Sequence, residues 1–379
     1  GSKREVNAID SEFQQAQQND TCRVEQLISH CSDDGHVYRR FGWGNRKSLV
    51  EMPKADGTDV RGALQAFHRK YYSTNLMSLV ILGKEPLDTL QQWAVSAFGD
   101  SPNHRIERPL ATTDKLPIAP SRLPMWLRAL PLVQSRMLGL VWYLPSQISR
   151  DHVKCKPCDL IGHLIGHEGS GSILSYLKKK GLATSLSAGL EDGDSTAAAA
   201  LFKVGIELTV AGVQQVDHIV VAVLSYIGML SSIEGGPPVW CWEEVKNIAE
   251  LNFRYADEAH GIEYARGLAL SMLQRHPPKQ TLSADMLYEE YIPALAQEVV
   301  AHLTPSLMIG LTYVREDDSN EPAAAVEPSS APMENGSGSG ENGTARLPAT
   351  VTVLKPGGKR VQNVGRCMCS PEQKASGQH

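Results

Sequence analysis

A chain of 379 residues with 42% hydrophobic side chains is long enough to bury more than one core. Its formal net charge of -5 and pI near 6.2 supply no basic stripe, which argues against nucleic acid and anionic membrane as partners. No apolar run reaches the ~18 residues of a membrane-spanning helix, no secretory apolar segment opens the chain, and its odd set of 7 cysteines suits reduced thiols, so a cytoplasmic setting is expected.

In chain order, "REVNAIDSEFQQAQQ" reads as a helix, with Val6, Ile9 and Phe13 at helical spacing. Asp20 is placed to cap a second helix over "TCRVEQLISH". Then "DVRGALQAFHRKYY", "NLMSLVILG" and "PLDTLQQWAVSAFG" predict helix, buried strand, helix, with Asp59 and Pro86 as start signals and Gly99 as a stop. The proline-rich, aperiodic stretch 100–120 predicts a linker. Beyond it, "WLRALPL" and "RMLGLVWYLP" predict strands, the second apolar on both faces like an interior strand. Helices are expected over 153–166 and 172–180, and around "VQQVDHIVVAVLSYIGML", "VWCWEEVKNIAELNFRYA" and "IEYARGLALSMLQ". Strands "LFKVGIELTV" and "LMIGLTYV" complete an α+β chain. Residues 316–346, acidic and rich in Gly and Ser, are expected to be disordered; 347–379 is an unassigned tail with one strand-like run.

The chemistry concentrates in "GHLIGHEGSG". His163 and His167 stand four apart, the spacing of two zinc ligands on one helix face. Glu168 follows both histidines, whereas a catalytic zinc helix encloses its glutamate between them. Gly166 and Gly169 also predict that the helix ends near 166, losing the shared face. A free-standing metal site using His163, His167 and Cys155 or Cys158 is the competing reading; "CKPC" taken alone is a turn with incidental thiols. Glycines beside a carboxylate can also receive a peptide backbone and its terminal amine, and a packed helix corner explains the same residues equally well. In "EVNAIDSE", Glu5 and Glu12 lie two helical turns apart on one face, but a single carboxylate cannot hold zinc.

Together "REVNAIDSEF", "FGWGN", "FHRKYYSTNLMSLVILGKEPLDTL" and "GHLIGHEGSGSILSYLKKKG" resemble the insulin-degrading enzyme and nardilysin branch of the pitrilysin zinc peptidases, over about residues 1–315. The resemblance implies two α/β sandwich domains, the first truncated at its N-terminus: the rear of a catalytic domain at 1–110 and a second peptidase-type domain at 111–315. It also implies a zinc endopeptidase of peptides as the parent, with Glu12 its third zinc ligand and Glu5 an orienting carboxylate. The H-x-x-E-H helix is absent, so this chain alone is expected to bind no zinc at that centre and to be catalytically incomplete, its partners being peptides and the missing halves or a complementary chain. A non-catalytic peptide-binding or scaffold paralogue is the alternative. Carried over by position, Gly162, His163, Gly166, Glu168, Leu186 and Ala188 match a site that anchors a peptide's N-terminus on an edge strand. The pattern departs at Asp159, where a histidine is expected, at Ala188 for a glycine, at Leu190 for a glutamine, and at Val37 for a proline.

Overall fold

The computed structural model describes residues 2–107, 115–133, 135–145, 147–148, 152–195, 199–273, 278–315, 351–354 and 360–364. Helices α1 (Ser2–Ala16) and α2 (Asp20–His30) come first. The expected cap of α2 is corrected by one residue: the Asn19 side chain accepts the Cys22 N–H. Asp20 is engaged elsewhere, accepting the Leu132 and Val133 N–H groups at 3.0 and 3.3 Å. After α3 (Met52–Ala55), α4 (Val60–Tyr71) starts where the Asp59 carboxylate accepts the Arg61 N–H, and α5 (Leu87–Phe98) runs between Pro86 and Gly99 as expected. The strand expected in "NLMSLVILG" does not form. Residues 77–83 have no ladder partner among the described residues, and Met77, Leu79, Ile81 and Leu82 are exposed. Apolar, β-branched composition makes a strand only when a neighbour completes its hydrogen bonds.

A seven-stranded sheet carries the rest of the chain, in the order β3-β4-β2-β5-β1-β6-β7. Its strands are β1 (Met125–Ala129), β2 (Met137–Pro145), β3 (Ala183–Ser195), β4 (Ala199–Leu208), β5 (Ile309–Tyr313), β6 (Val351–Leu354) and β7 (Arg360–Val364). β1 and β5 are parallel and the other neighbours antiparallel. The two-faced reading of β2 holds: Leu138, Leu140, Trp142 and Leu144 enter one core, Val141 and Tyr143 the other.

On the first face lie α6 (Pro157–Gly166), α7 (Ile173–Lys179), α8 (Val210–Gln214), α9 (Val216–Ser231), α10 (Val239–Arg254) and α12 (Pro293–His302), with α11 (Gly261–Leu273) between the last two in sequence. On the second, Leu27 and Ile28 of α2 pack with Leu127, Val141, Tyr143 and Ile309. The architecture is α+β. Helix α6 begins at Pro157 rather than 153 because Lys156 takes a left-handed φ of 42°, its Nζ donating to the Val153, Ala284 and Leu287 carbonyls at 2.5, 2.7 and 2.6 Å. No helix of the described residues is long and apolar enough to cross a membrane. The stretch 316–346, expected to be disordered, lies outside the described residues; β6 and β7 are the described part of the tail.

Candidate functional site

The "GHLIGHEGSG" residues form a corner between α6 and the terminal strand of the sheet. β3 pairs with β4 alone, so its other edge carries no strand among the described residues. Helix α6 meets it backbone to backbone: a Cβ on Gly162 would stand 2.8 Å from the Ala188 carbonyl oxygen and 2.9 Å from the Gly189 Cα. Gly166 faces the same strand, its Cβ position 3.4 Å from the Ala188 nitrogen. Leu186 is buried in the core and holds the strand down, while Ala188 is half-buried and Gly189 takes a φ of 137° that suits glycine. The structure thus brings Gly162, Gly166, Leu186 and Ala188 together, with His163 on the last turn of α6. Glu168 follows the helix end and is exposed, its carboxylate 4.0 Å from Lys178 Nζ.

Helix α6 ends at Gly166 as expected, yet the expected loss of the shared histidine face is corrected. His167, in extended backbone at the C-cap, keeps its ring 5.8 Å from that of His163 at a 79° interplanar angle. Its Nδ1 accepts the Gly169 N–H at 3.0 Å. His163 Nε2 is buried without a hydrogen-bond partner and lies 3.9 Å from Glu244 Oε1 on α10. Burial pushes the His163 imidazole below its usual range, opposed by the Glu244 carboxylate and reinforced by His167. Sequence reasoning missed Glu244, an ordinary glutamate in an amphipathic helix.

Beneath the corner, burial raises Asp159 against the charge of Lys156 and a 3.3 Å hydrogen bond donated by the Tyr288 hydroxyl. Cys155 and Cys158 are buried free thiols; burial with the nearby Asp159 pushes Cys158 up to about 12, and neither thiol joins His163 and His167 in a converging group of three metal ligands among the described residues. Glu5 and Glu12 are exposed on α1, an unbroken helix that puts them on one face. Neither belongs to a group of three potential metal ligands among the described residues, so Glu12 and its neighbours do not by themselves fit a zinc ion.

Comparison with known proteins places this geometry in a family. Residues 59–248 match the model of the peptidase M16 inactive domain, and 253–329 that of the middle or third domain of peptidase M16. A nardilysin-like protein of Arabidopsis thaliana is 38% identical over 81% of this chain and 29% of its own length. Human insulin-degrading enzyme is 34% identical over 80% of the chain and 29% of its own length. The crystal structure of pitrilysin superposes with a TM-score of 0.76 at 27% identity, covering 85% of this chain and 33% of that one. The chain therefore spans about 30% of the length of these relatives. With the inactive-domain model matching half of its residues and these relatives in register over four-fifths of it, the chain belongs to the M16, or pitrilysin, family of peptidases.

Proposed function

We propose that this chain is a piece of a zinc-dependent endopeptidase that degrades peptides, comprising the rear of a catalytic domain and, from about residue 111, a domain that anchors substrate rather than cleaving it. The observation that carries the reading is the open edge of β3, reached through the Gly162 contact with Ala188 and Gly189. An extended peptide added to that edge gains main-chain hydrogen bonds, and Glu168 supplies an acceptor for its terminal ammonium. Leu186 anchors the strand, His163 lies beside it on α6, and Ala188 narrows the room for a docked backbone. In the complete protein Glu12 would be one zinc ligand and Glu5 would orient it; the metal's chemistry, when bound, is to activate water for attack on the peptide carbonyl. One ligand out of the three that a catalytic zinc needs leaves this chain incomplete alone.

The test is fluorescence anisotropy of a labelled peptide with a free or acetylated N-terminus, run beside a quenched cleavage assay. Binding that weakens on acetylation and on Glu168→Gln, with no hydrolysis above background, is expected. Absence of binding overturns the anchoring role, and hydrolysis by the purified chain overturns its incompleteness.

A further inference from the structure

Among the described residues, His163, His167 and Glu244 are the one group of three or more His, Cys, Asp or Glu whose ligand atoms converge, all within 4.8 Å of one another. The group is assembled from two elements far apart in sequence: the end of α6 and its C-cap supply the imidazoles, and the second turn of α10 supplies the carboxylate. His163 Nε2 is a buried nitrogen with no hydrogen-bond partner, an arrangement that costs about 1–3 kcal/mol unless something fills it. In the tautomer that leaves the lone pair on Nε2, what fills it accepts that pair while facing a second imidazole and a carboxylate. Two nitrogens and one oxygen form the donor set of zinc and related first-row divalent ions, which leave a fourth position open when three side chains bind them.

We propose that His163, His167 and Glu244 form a binding site for a single divalent transition-metal ion of the zinc class, with its fourth position open to water or a ligand atom. Bonds of roughly 2.0–2.2 Å require the three donors to close in by about an ångström. Glu244, whose side chain is 44% exposed, has the freedom to do so by rotamer change. His167 sets the limit on affinity: its Nδ1 now accepts the Gly169 N–H, and either that bond or its tautomer must yield to the metal. The site is therefore expected to bind in the micromolar rather than the structural-zinc range. The inference does not rest on the peptide-anchoring reading, because it is tested with metal ions alone.

The experiment is calorimetric titration of the chelator-stripped full chain with zinc chloride, paired with the visible spectrum of its cobalt(II) form. One zinc per chain is expected, weakened at least tenfold by His167→Ala and by Glu244→Gln and unchanged by Glu250→Gln on the same helix. Both weakening variants change residues at the rim, and circular dichroism checks that they fold. The cobalt spectrum should show ligand-field bands without a thiolate charge-transfer band, since the described free cysteines Cys22, Cys31, Cys155, Cys158 and Cys241 are then not ligands. The proposal is overturned by absence of stoichiometric binding, by binding that survives Glu244→Gln and His167→Ala, by a thiolate band, or by loss on Glu12→Gln in place of Glu244→Gln.

Discussion

Asp20 shows how one carboxylate can tie two parts of the chain together. It accepts the Arg23 guanidinium at 2.7 Å and two backbone N–H groups from the segment after β1, while Arg23 also donates to the Tyr313 hydroxyl on β5. Burial raises its pKa, but hydrogen bonds from Tyr313, Arg23, Leu132 and Val133 outweigh it and leave the carboxyl below its usual value. A depressed carboxylate contributes stability above the unfolded pKa of about 3.9 and loses it as pH falls through the lower folded value. Asp20→Asn is therefore expected to cost about 1–3 kcal/mol at pH 7 in urea unfolding, a deficit that shrinks below pH 4. At Gly162 the constraint is steric. A methyl group there meets backbone, not a flexible side chain, so Gly162→Ala is expected to cost about 1–3 kcal/mol and to weaken peptide binding at the β3 edge. Cys158, buried and held protonated, should resist iodoacetamide at pH 8 until urea unfolds the chain, as a mass-spectrometric time course would show.

At the scale of elements, local signals succeeded where the stabilising contacts are local. Asp59, Pro86 and Gly99 mark helix ends because caps and stops act within a turn of the residues they serve. Strand β2, apolar on both faces, reads as a strand covered twice, and Trp142 at its centre is fully buried with its Nε1 donating to the Thr304 carbonyl at 2.9 Å. Trp142→Ala should cost about 3–5 kcal/mol in thermal or urea unfolding, because the cavity opens between sheet and helices. Signals failed where a partner decides. Residues 77–83 have the composition of a strand and no ladder among the described residues, whereas α12 and β3 carry weak periodicity and are fixed by what they pack on: Val299 and Val300 of α12 enter the core, and β3 pairs along β4.

For the whole molecule, the described part of the first hundred residues carries a large exposed apolar surface. Leu64 and Phe67 on α4, Leu79 and Leu82 after it, and Leu87, Trp93, Val95 and Phe98 on α5 are all exposed. Monomers rarely leave so much apolar surface uncovered. The isolated chain is accordingly expected to bind the dye ANS while folded and to associate with rising concentration in sedimentation velocity, and Leu87→Lys with Val95→Lys should reduce both. An unchanged, monomeric profile in all samples would contradict this.

The sequence by itself determined the α+β class, the place of many of the helices, the two-faced interior strand and the family resemblance, since these reside in residue types at short spacings and in long motifs kept in register. It also singled out the Gly162–Glu168 corner, through its glycines and histidines. Only the tertiary structure decided that Gly162 lies against Ala188 and Gly189 and that Glu244 joins His163 and His167. The physical reason is that α6 and α10 are brought side by side by burial of Ile161, Ile165, Cys241 and Val245 in a common core. That packing is a property of surfaces in three dimensions, and a glutamate facing solvent on an amphipathic helix carries no one-dimensional sign of which histidine it will meet.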